Sequence, residues 1–323
     1  MDLTNRTDIK NLLEKYGAKP EKYLGQHFLL SKRALRQMVG AADIQKSDTI
    51  VEIGPGLGVL TQELAKTGAR VIAIEKDILM NKILQETLAD DKNASVTQAD
   101  ARKINWDDIS TLCPQIRVGP TYEARPTRQC KYKIVANLPY NIANFLIRNW
   151  LESKNQPERI VVMVQKEVAR RICPTTPRLR RAGAKQPKMN LLAVSVQFFA
   201  EAKIINYVPA EVFWPKPKVD SAILLITPYS KGRNNSPWQI IAAQSEKFKK
   251  RFFEILKAGF SQPRKQLAGN LVKKLPSLRS GASAGKKISR EKIITIFKDL
   301  DISEKTRAEN LSIDNWILLT KNI

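Results

Sequence analysis

The sequence is poor in the side chains that build metal centres and disulfide frameworks. Its 323 residues include three cysteines and one histidine, His27. Cys113, Cys130 and Cys173 lie far apart with no Cys-x-x-Cys pair. That spacing argues against a zinc site or a disulfide scaffold, and reduced cytosolic thiols are the expectation. No apolar run approaches the ~18 residues that suggest a membrane span. The start, Met1-Asp2-Leu3-Thr4, lacks the basic-then-apolar pattern of a secretion signal. A cytoplasmic protein with no membrane and no metal is therefore expected.

Acids are also scarce. There are 31 Asp and Glu against 55 Lys and Arg, a formal net charge of +24. Such an excess points to a polyanionic partner, nucleic acid first, although a generally basic surface gives the same number. Residues 231–323 hold 20 Lys and Arg against 8 Asp and Glu, half of the excess.

The stretch that organises the chain is Val51-Glu52-Ile53-Gly54-Pro55-Gly56-Leu57-Gly58-Val59-Leu60-Thr61. Thr49 to Ile53 read as a short apolar strand, and a glycine-rich turn leads into an amphipathic helix through Leu60, Leu64 and Ala65. Alternate glycines let a backbone turn tightly and approach a ligand. Alone, such a turn is equally compatible with a strand–helix junction that binds nothing. Val71 to Ile74 form a second strand ending in Glu75, 21 residues after Gly54. An acid there is placed to accept hydrogen bonds from ribose hydroxyls. Ser95 to Asp100 read as a third strand. Asp100 suits an adenine amino group, or equally a cap on the next helix. Alternating strands and helices imply a parallel α/β sheet with these groups at its carboxyl edge.

A fourth strand, Lys133 to Ala136, runs into Asn137-Leu138-Pro139-Tyr140. The residue before a proline is held extended, which fixes the direction of the Leu138 carbonyl. Asn137 offers a second carbonyl, and Tyr140 a flat aromatic face. Two acceptors and a stacking platform match an exocyclic amine on a planar base; a proline-ended strand with a packed tyrosine is the plainer reading. Arg159 to Val164 predict a fifth strand, and Leu191–Phe199 and Ala222–Thr227 the closing strands. Val212 to Ser221 form a proline-fixed aromatic loop, suited to packing on the sheet or to stacking on a base. Residues 113–130 and 173–188 read as long basic loops, Ser230 to Pro237 as a linker, and Ser280 to Lys287 as a flexible connection. Helical spacing of Phe248, Phe252, Phe253, Ile255, Leu256 and Phe260, with further short helices around Trp316, predicts a C-terminal helical domain. The expected domains are 1–228 and 229–323.

Leu24-Gly25-Gln26-His27-Phe28-Leu29, the Glu52-to-Gly58 turn, Glu75, Asp100 and the Asn137 tetrad occur in one order. Gln165 to Ala169, Phe213 to Ser221, Ala258-Gly259-Phe260-Ser261-Gln262-Pro263-Arg264-Lys265 and Arg307 to Leu311 follow. In this order the chain resembles, over nearly its whole length, the KsgA-type ribosomal RNA adenine N6-dimethyltransferases. The resemblance implies an α/β fold: a class I (Rossmann-like) methyltransferase sheet with a small all-helical C-terminal domain that binds ribosomal RNA. It implies S-adenosyl-L-methionine as cofactor, and two adjacent adenosines near the 3' end of small-subunit (16S) rRNA as substrate. The implied partner is small-subunit rRNA or an immature small ribosomal subunit, met by a monomer. His27 and Leu29 would line the methionine end of the cofactor, Gly54 its carboxylate and amino group, Glu75 its ribose and Asp100 its adenine. His27 stands where some relatives carry asparagine. Asn137, Leu138, Pro139 and Tyr140 would hold the target base, with Asn137 also beside the cofactor. Three other readings remain open on sequence: an Erm-type large-subunit rRNA methyltransferase, a non-catalytic ribosome-assembly factor on the same scaffold, and a nicotinamide dehydrogenase. The last requires Gly-x-Gly-x-x-Gly, and here Gly58 comes one position early.

Overall fold

Seven strands form one sheet in the computed structural model, which describes residues 1–21, 25–109, 131–173, 188–229, 246–275 and 288–323. Leu24, loop 113–130, nearly all of loop 173–188, the linker 230–237 and the connection 280–287 lie outside the described residues.

In chain order the strands are β1 (Phe28–Leu29), β2 (Thr49–Ile53), β3 (Arg70–Glu75), β4 (Ala94–Gln98), β5 (Lys133–Asn137), β6 (Arg159–Gln165), β7 (Ala200–Val208), β8 (Phe213–Trp214) and β9 (Ser221–Pro228). The main sheet has the order β4-β3-β2-β5-β6-β9-β7, and β1 and β8 pair separately. Strands β4, β3, β2, β5 and β6 are parallel, and β9 runs antiparallel to β6. After β2 the chain adds strands on one side; β5 starts the other side. The carboxyl ends of β2 and β5 therefore flank a crevice where the strand order reverses, the usual ligand position in open α/β sheets.

Local signals explain most of the helices. α1 (Arg6–Lys15) starts where the Asn5 side chain accepts from Thr7 and Asp8 N–H, satisfying donors that a helix start leaves open. Ser31 caps α2 (Lys32–Ala42) through Ala34 N–H, and Asp77 caps α4 (Ile78–Thr87). The remaining helices beside the sheet are α3 (Val59–Ala65), α5 (Tyr140–Glu152) and α6 (Lys166–Ile172). Buried residues on α2 and α3, among them Leu35, Met38, Leu60 and Leu64, pack on Ile50, Val71, Val135 and Val161 of the sheet.

The chain divides into two compact units, one of residues 1–169 and 201–228, the other of 170–200 and 229–323. Leu191–Phe199, expected as a closing strand, is instead helix α7. An apolar run of nine residues has neither a strand's alternation nor a helix's polar face, so its period decides nothing. Asn190 settles it by accepting from Ala193 N–H at 2.8 Å as an N-cap, and Val194 and Phe198 join the cluster of the C-terminal helices. The edge strand beyond β9 is β7.

In that second unit α8 (Glu246–Gly259), α9 (Leu267–Lys274), α10 (Arg290–Asp299) and α11 (Ile313–Asn322) surround a core containing Phe252, Phe297 and Trp316. The corner between α8 and α9 is held by buried Asn270, whose amide donates to Gly259 O at 2.7 Å and Gln262 O at 2.9 Å. At Gly259 a Cβ would meet the Trp316 ring at 2.5 Å and a Leu267 methyl at 2.9 Å. Gly259→Ala should therefore overpack this core and lower stability by ~1–3 kcal/mol. Thermal unfolding of the variant checks it, and an unchanged midpoint would contradict such close packing.

Candidate active site

At the β2/β5 crevice lies a cavity of ≈ 340 Å³, inside the size range of small-molecule sites. His27, Leu29, Gly54, Glu75, Asp100, Asn137, Leu138, Pro139 and Tyr140 all line it. Residues spread over more than a hundred positions of sequence thus share one wall.

Pro139 is the point where three segments meet. A Cβ on Gly54 would lie 3.4 Å from Pro139 Cδ, and one on Gly25 3.4 Å from Pro139 Cβ. Both glycines have positive φ, +65° and +71°, a region that side chains rarely adopt. The glycine turn and the Gly25 segment can therefore close on the proline ring.

Asn137 ends β5, and its Nδ2 donates to His27 O at 3.4 Å. With the amide nitrogen turned that way, Oδ1 is the end left to accept. His27 Nδ1 donates to Pro215 O at 2.6 Å, so Nδ1 carries a proton. The His27 ring stands 6.1 Å from Tyr140, at 27° to it. The Tyr140 hydroxyl shares a hydrogen bond with Ser221 Oγ at 2.6 Å. β1 is tied to the loop before β9 by the pairs Phe28↔Trp214 and Leu29↔Phe213. Phe213 is buried, and Trp214 packs near Phe28 with the Arg6 guanidinium 5.7 Å from its ring. Packing, not an open stacking face, is what this aromatic pair does here.

Two acids carry different loads. Glu75 Oε1 accepts from Lys76 N and Asp77 N, both at 2.8 Å, while Oε2 has a long contact of 3.4 Å from Gly56 N. Burial raises its carboxyl above the ordinary value, and the three backbone N–H groups oppose that rise. Asp100 lies two residues beyond β4. Its carboxylate takes Arg102 Nε at 3.0 Å and a second guanidinium nitrogen at 2.6 Å, and caps the next turn through Arg102 N. The Arg102 guanidinium holds this carboxyl well below the usual range. Of the two readings offered by sequence, the cap is present, and the same side chain lines the cavity.

Glu52 is a further acid at the site, and its one signal in the sequence is its place inside the apolar run Thr49–Ile53. It is 1% exposed and lines the cavity. Its Oε2 and Thr61 Oγ1 are both buried without a hydrogen bond of good geometry. Burial pushes this carboxyl up to about 8; the Thr61 hydroxyl partly offsets the rise and the Glu75 charge adds to it. Gln26 carries no motif signal of its own, yet its Nε2 donates to Asp77 Oδ2 at 3.0 Å and ties the Gly25–Leu29 segment to the start of α4. Among the described residues no cluster of His, Cys, Asp and Glu could hold a metal, and no helix is long and apolar enough to cross a membrane.

A family model described as "Ribosomal RNA adenine dimethylase" matches residues 17–321. The chain is 35% identical over 308 residues to a "Ribosomal RNA small subunit methyltransferase A" of Dehalococcoides mccartyi, covering 95% of this chain and 89% of that protein. It is 34% identical over 326 residues to the protein of that name from Bacillus licheniformis, covering 100% and 97%. Among solved structures it is similar to a dimethyladenosine transferase from Plasmodium falciparum, with a TM-score of 0.60 and 22% identity over 90% of this chain and 95% of that one. It is also similar to the 23S rRNA methyltransferase ErmE, with a TM-score of 0.59 and 19% identity over 91% and 98%. At those identities the two structures show the fold: a class I methyltransferase sheet followed by a helical part.

A raised Glu52 value has a sign that can be tested. The folded chain keeps a proton that the unfolded chain releases above about pH 4. Stability from this group is complete below that pH and is lost as pH rises toward 8. Glu52→Gln removes the slope, so the variant should gain on the wild type between pH 5 and 8, by at most about 4 kcal/mol. Thermal or urea unfolding without cofactor at both pH values measures it; a gap independent of pH would mean that Glu52 carries the same charge folded and unfolded, and that burial does not raise its carboxyl.

Proposed function

The chain belongs to the ribosomal RNA adenine dimethylase family, and on that premise we propose the finer reading of its reaction. It transfers methyl groups to the N6 amines of two adjacent adenosines near the 3' end of small-subunit rRNA. The product is N6,N6-dimethyladenosine, formed during assembly of the small ribosomal subunit by a monomer in the cytoplasm. The observation that carries this reading is the convergence of the Gly54 turn, Glu75, Asp100 and the Asn137–Tyr140 tetrad on one cavity.

The residues suit the methyl donor of the family, S-adenosylmethionine, which when bound supplies an electrophilic methyl on a sulfonium. Glu75 Oε2, with only its long Gly56 contact, is the atom to accept from ribose hydroxyls. Asp100 would take an adenine amino group by exchanging one of its Arg102 bonds. Gly54 presents bare backbone at the cavity wall, and His27 and Leu29 close the wall beside β1.

The target base has its own set. Tyr140 offers a stacking face to an adenine drawn out of its helix or met unpaired. Asn137 Oδ1 and the Leu138 carbonyl would each accept one hydrogen of the amine, which helps the nitrogen to pyramidalise and frees its lone pair to attack. An alkylated amine is strongly acidic and loses its proton without a dedicated base. The rate gain then comes chiefly from positioning. In the helical unit, exposed Arg264 and Lys265 lie in the Asn270-braced corner, and contacts of such side chains to phosphates give affinity with little sequence information.

Small ribosomal subunits lacking the modification, incubated with labelled S-adenosylmethionine, test this reading. Wild type should yield N6,N6-dimethyladenosine, and Asn137→Ala should lose about a hundredfold or more in rate. Label in large-subunit RNA would overturn the substrate, and cofactor binding without transfer to either subunit would favour an assembly factor.

A further inference from the structure

We propose that Ser221 is a positioning residue for methyl transfer: its hydrogen bond to the Tyr140 hydroxyl fixes the direction of the platform on which the target adenine stacks. The inference rests on the reading of Tyr140 as that platform.

Stacking needs only a ring, and phenylalanine would supply one. The hydroxyl of Tyr140 therefore needs another reason, and so does that of Ser221. Ser221 is fully buried, beside Ala222, Ile223 and Leu224 in β9. A buried hydroxyl without a partner is costly, and the partner of this one is Tyr140, at 2.6 Å. Each hydroxyl answers for the other.

The geometry gives the bond a defined job. Tyr140 opens α5 directly after Pro139, so its backbone is set and its freedom lies in two side-chain torsions. The phenol oxygen lies on the axis from Cβ through the ring. A bond at that oxygen fixes where the axis points but leaves rotation about it open. That rotation is limited by His27, 6.1 Å away, which Pro215 O holds through Nδ1. Ser221 sets the direction and His27 the tilt.

The anchor is itself held. Ser221 stands opposite Gln165 in the β6–β9 pairing. The preceding residue, Asp220, receives Lys166 N at its carbonyl at 3.0 Å, and Lys166 Nζ at 2.8 Å and Ala210 N at 3.3 Å at its carboxylate. Burial raises the Tyr140 phenol, which keeps it protonated and able to share the bond.

The test is a double-mutant cycle on the full chain, using Ser221→Ala, Tyr140→Phe and the pair. Methyl transfer to small subunits is measured beside S-adenosylmethionine affinity by calorimetry. Stacking is read from fluorescence quenching of a small-subunit RNA fragment with 2-aminopurine at the target position. Each single variant should lower kcat about tenfold, the pair should be no worse than either single, and cofactor affinity should stay within about twofold. Quenching should weaken in parallel. Losses that multiply would make Ser221 a support of the strand and overturn the proposal, as would a Ser221→Ala enzyme at the wild-type rate. Should Ser221→Ala fail to fold, Tyr140→Phe breaks the same bond from the other end, and its wild-type rate would be equally decisive. A wild type that neither methylates nor quenches would overturn the platform reading; a wild type that does both beside equally active variants would overturn the anchor alone.

Discussion

Contact of the Pro139 ring with the backbone at Gly25 and Gly54 is the constraint on which the site depends. Gly54 follows β2, Pro139 follows β5, and Gly25 precedes β1, so one ring sets the spacing of three segments. The proline also starts α5, and thereby sets the backbone of Tyr140. A Cβ at either glycine would only touch the ring at 3.4 Å, so it is the positive φ at both that calls for glycine and lets the backbone come this near. The parallel sheet brings the three segments to one edge; the proline contact fixes how they meet.

Charge at that edge is managed by burial and by local donors. Glu75 is steadied by three backbone N–H groups, Asp100 by a guanidinium two residues on, and Glu52 by neither. A low-dielectric wall with one unmet carboxyl favours a proton or a ligand that brings positive charge. A turn of bare backbone beside it completes a site in which shape comes from glycine and proline and polarity from three acids.

Much of this was legible in the sequence because the chemistry sits where strands end. Apolar runs at 49–53, 71–74, 133–136 and 159–164 stop at Gly54, Glu75, Asn137 and Gln165, and a strand read by its end needs no exact register. Leu191–Phe199 was not legible, since an all-apolar stretch carries no period and only its Asn190 cap and its neighbours in the helical core make it α7. Ser221 escaped notice as a site residue for another reason. It acts through Tyr140, 81 residues away in the chain, and no local pattern joins the two. Glu52 was visible as an acid inside a strand, yet only its burial separates it from an ordinary half-exposed position.

The direction of β9 has a consequence for how such a protein can diverge. Because β9 runs against β6, its first residue, and with it the loop from 213 to 220, arrives at the same edge as the carboxyl ends of the parallel strands. That loop is not a crossover between parallel strands, so its length is free of the handedness rule that governs the others. Insertions there would alter what lies over Tyr140 while Gly54, Glu75 and Asp100 kept their places. Descent with a changed substrate and an unchanged donor needs such a separation, and a single reversed strand provides it.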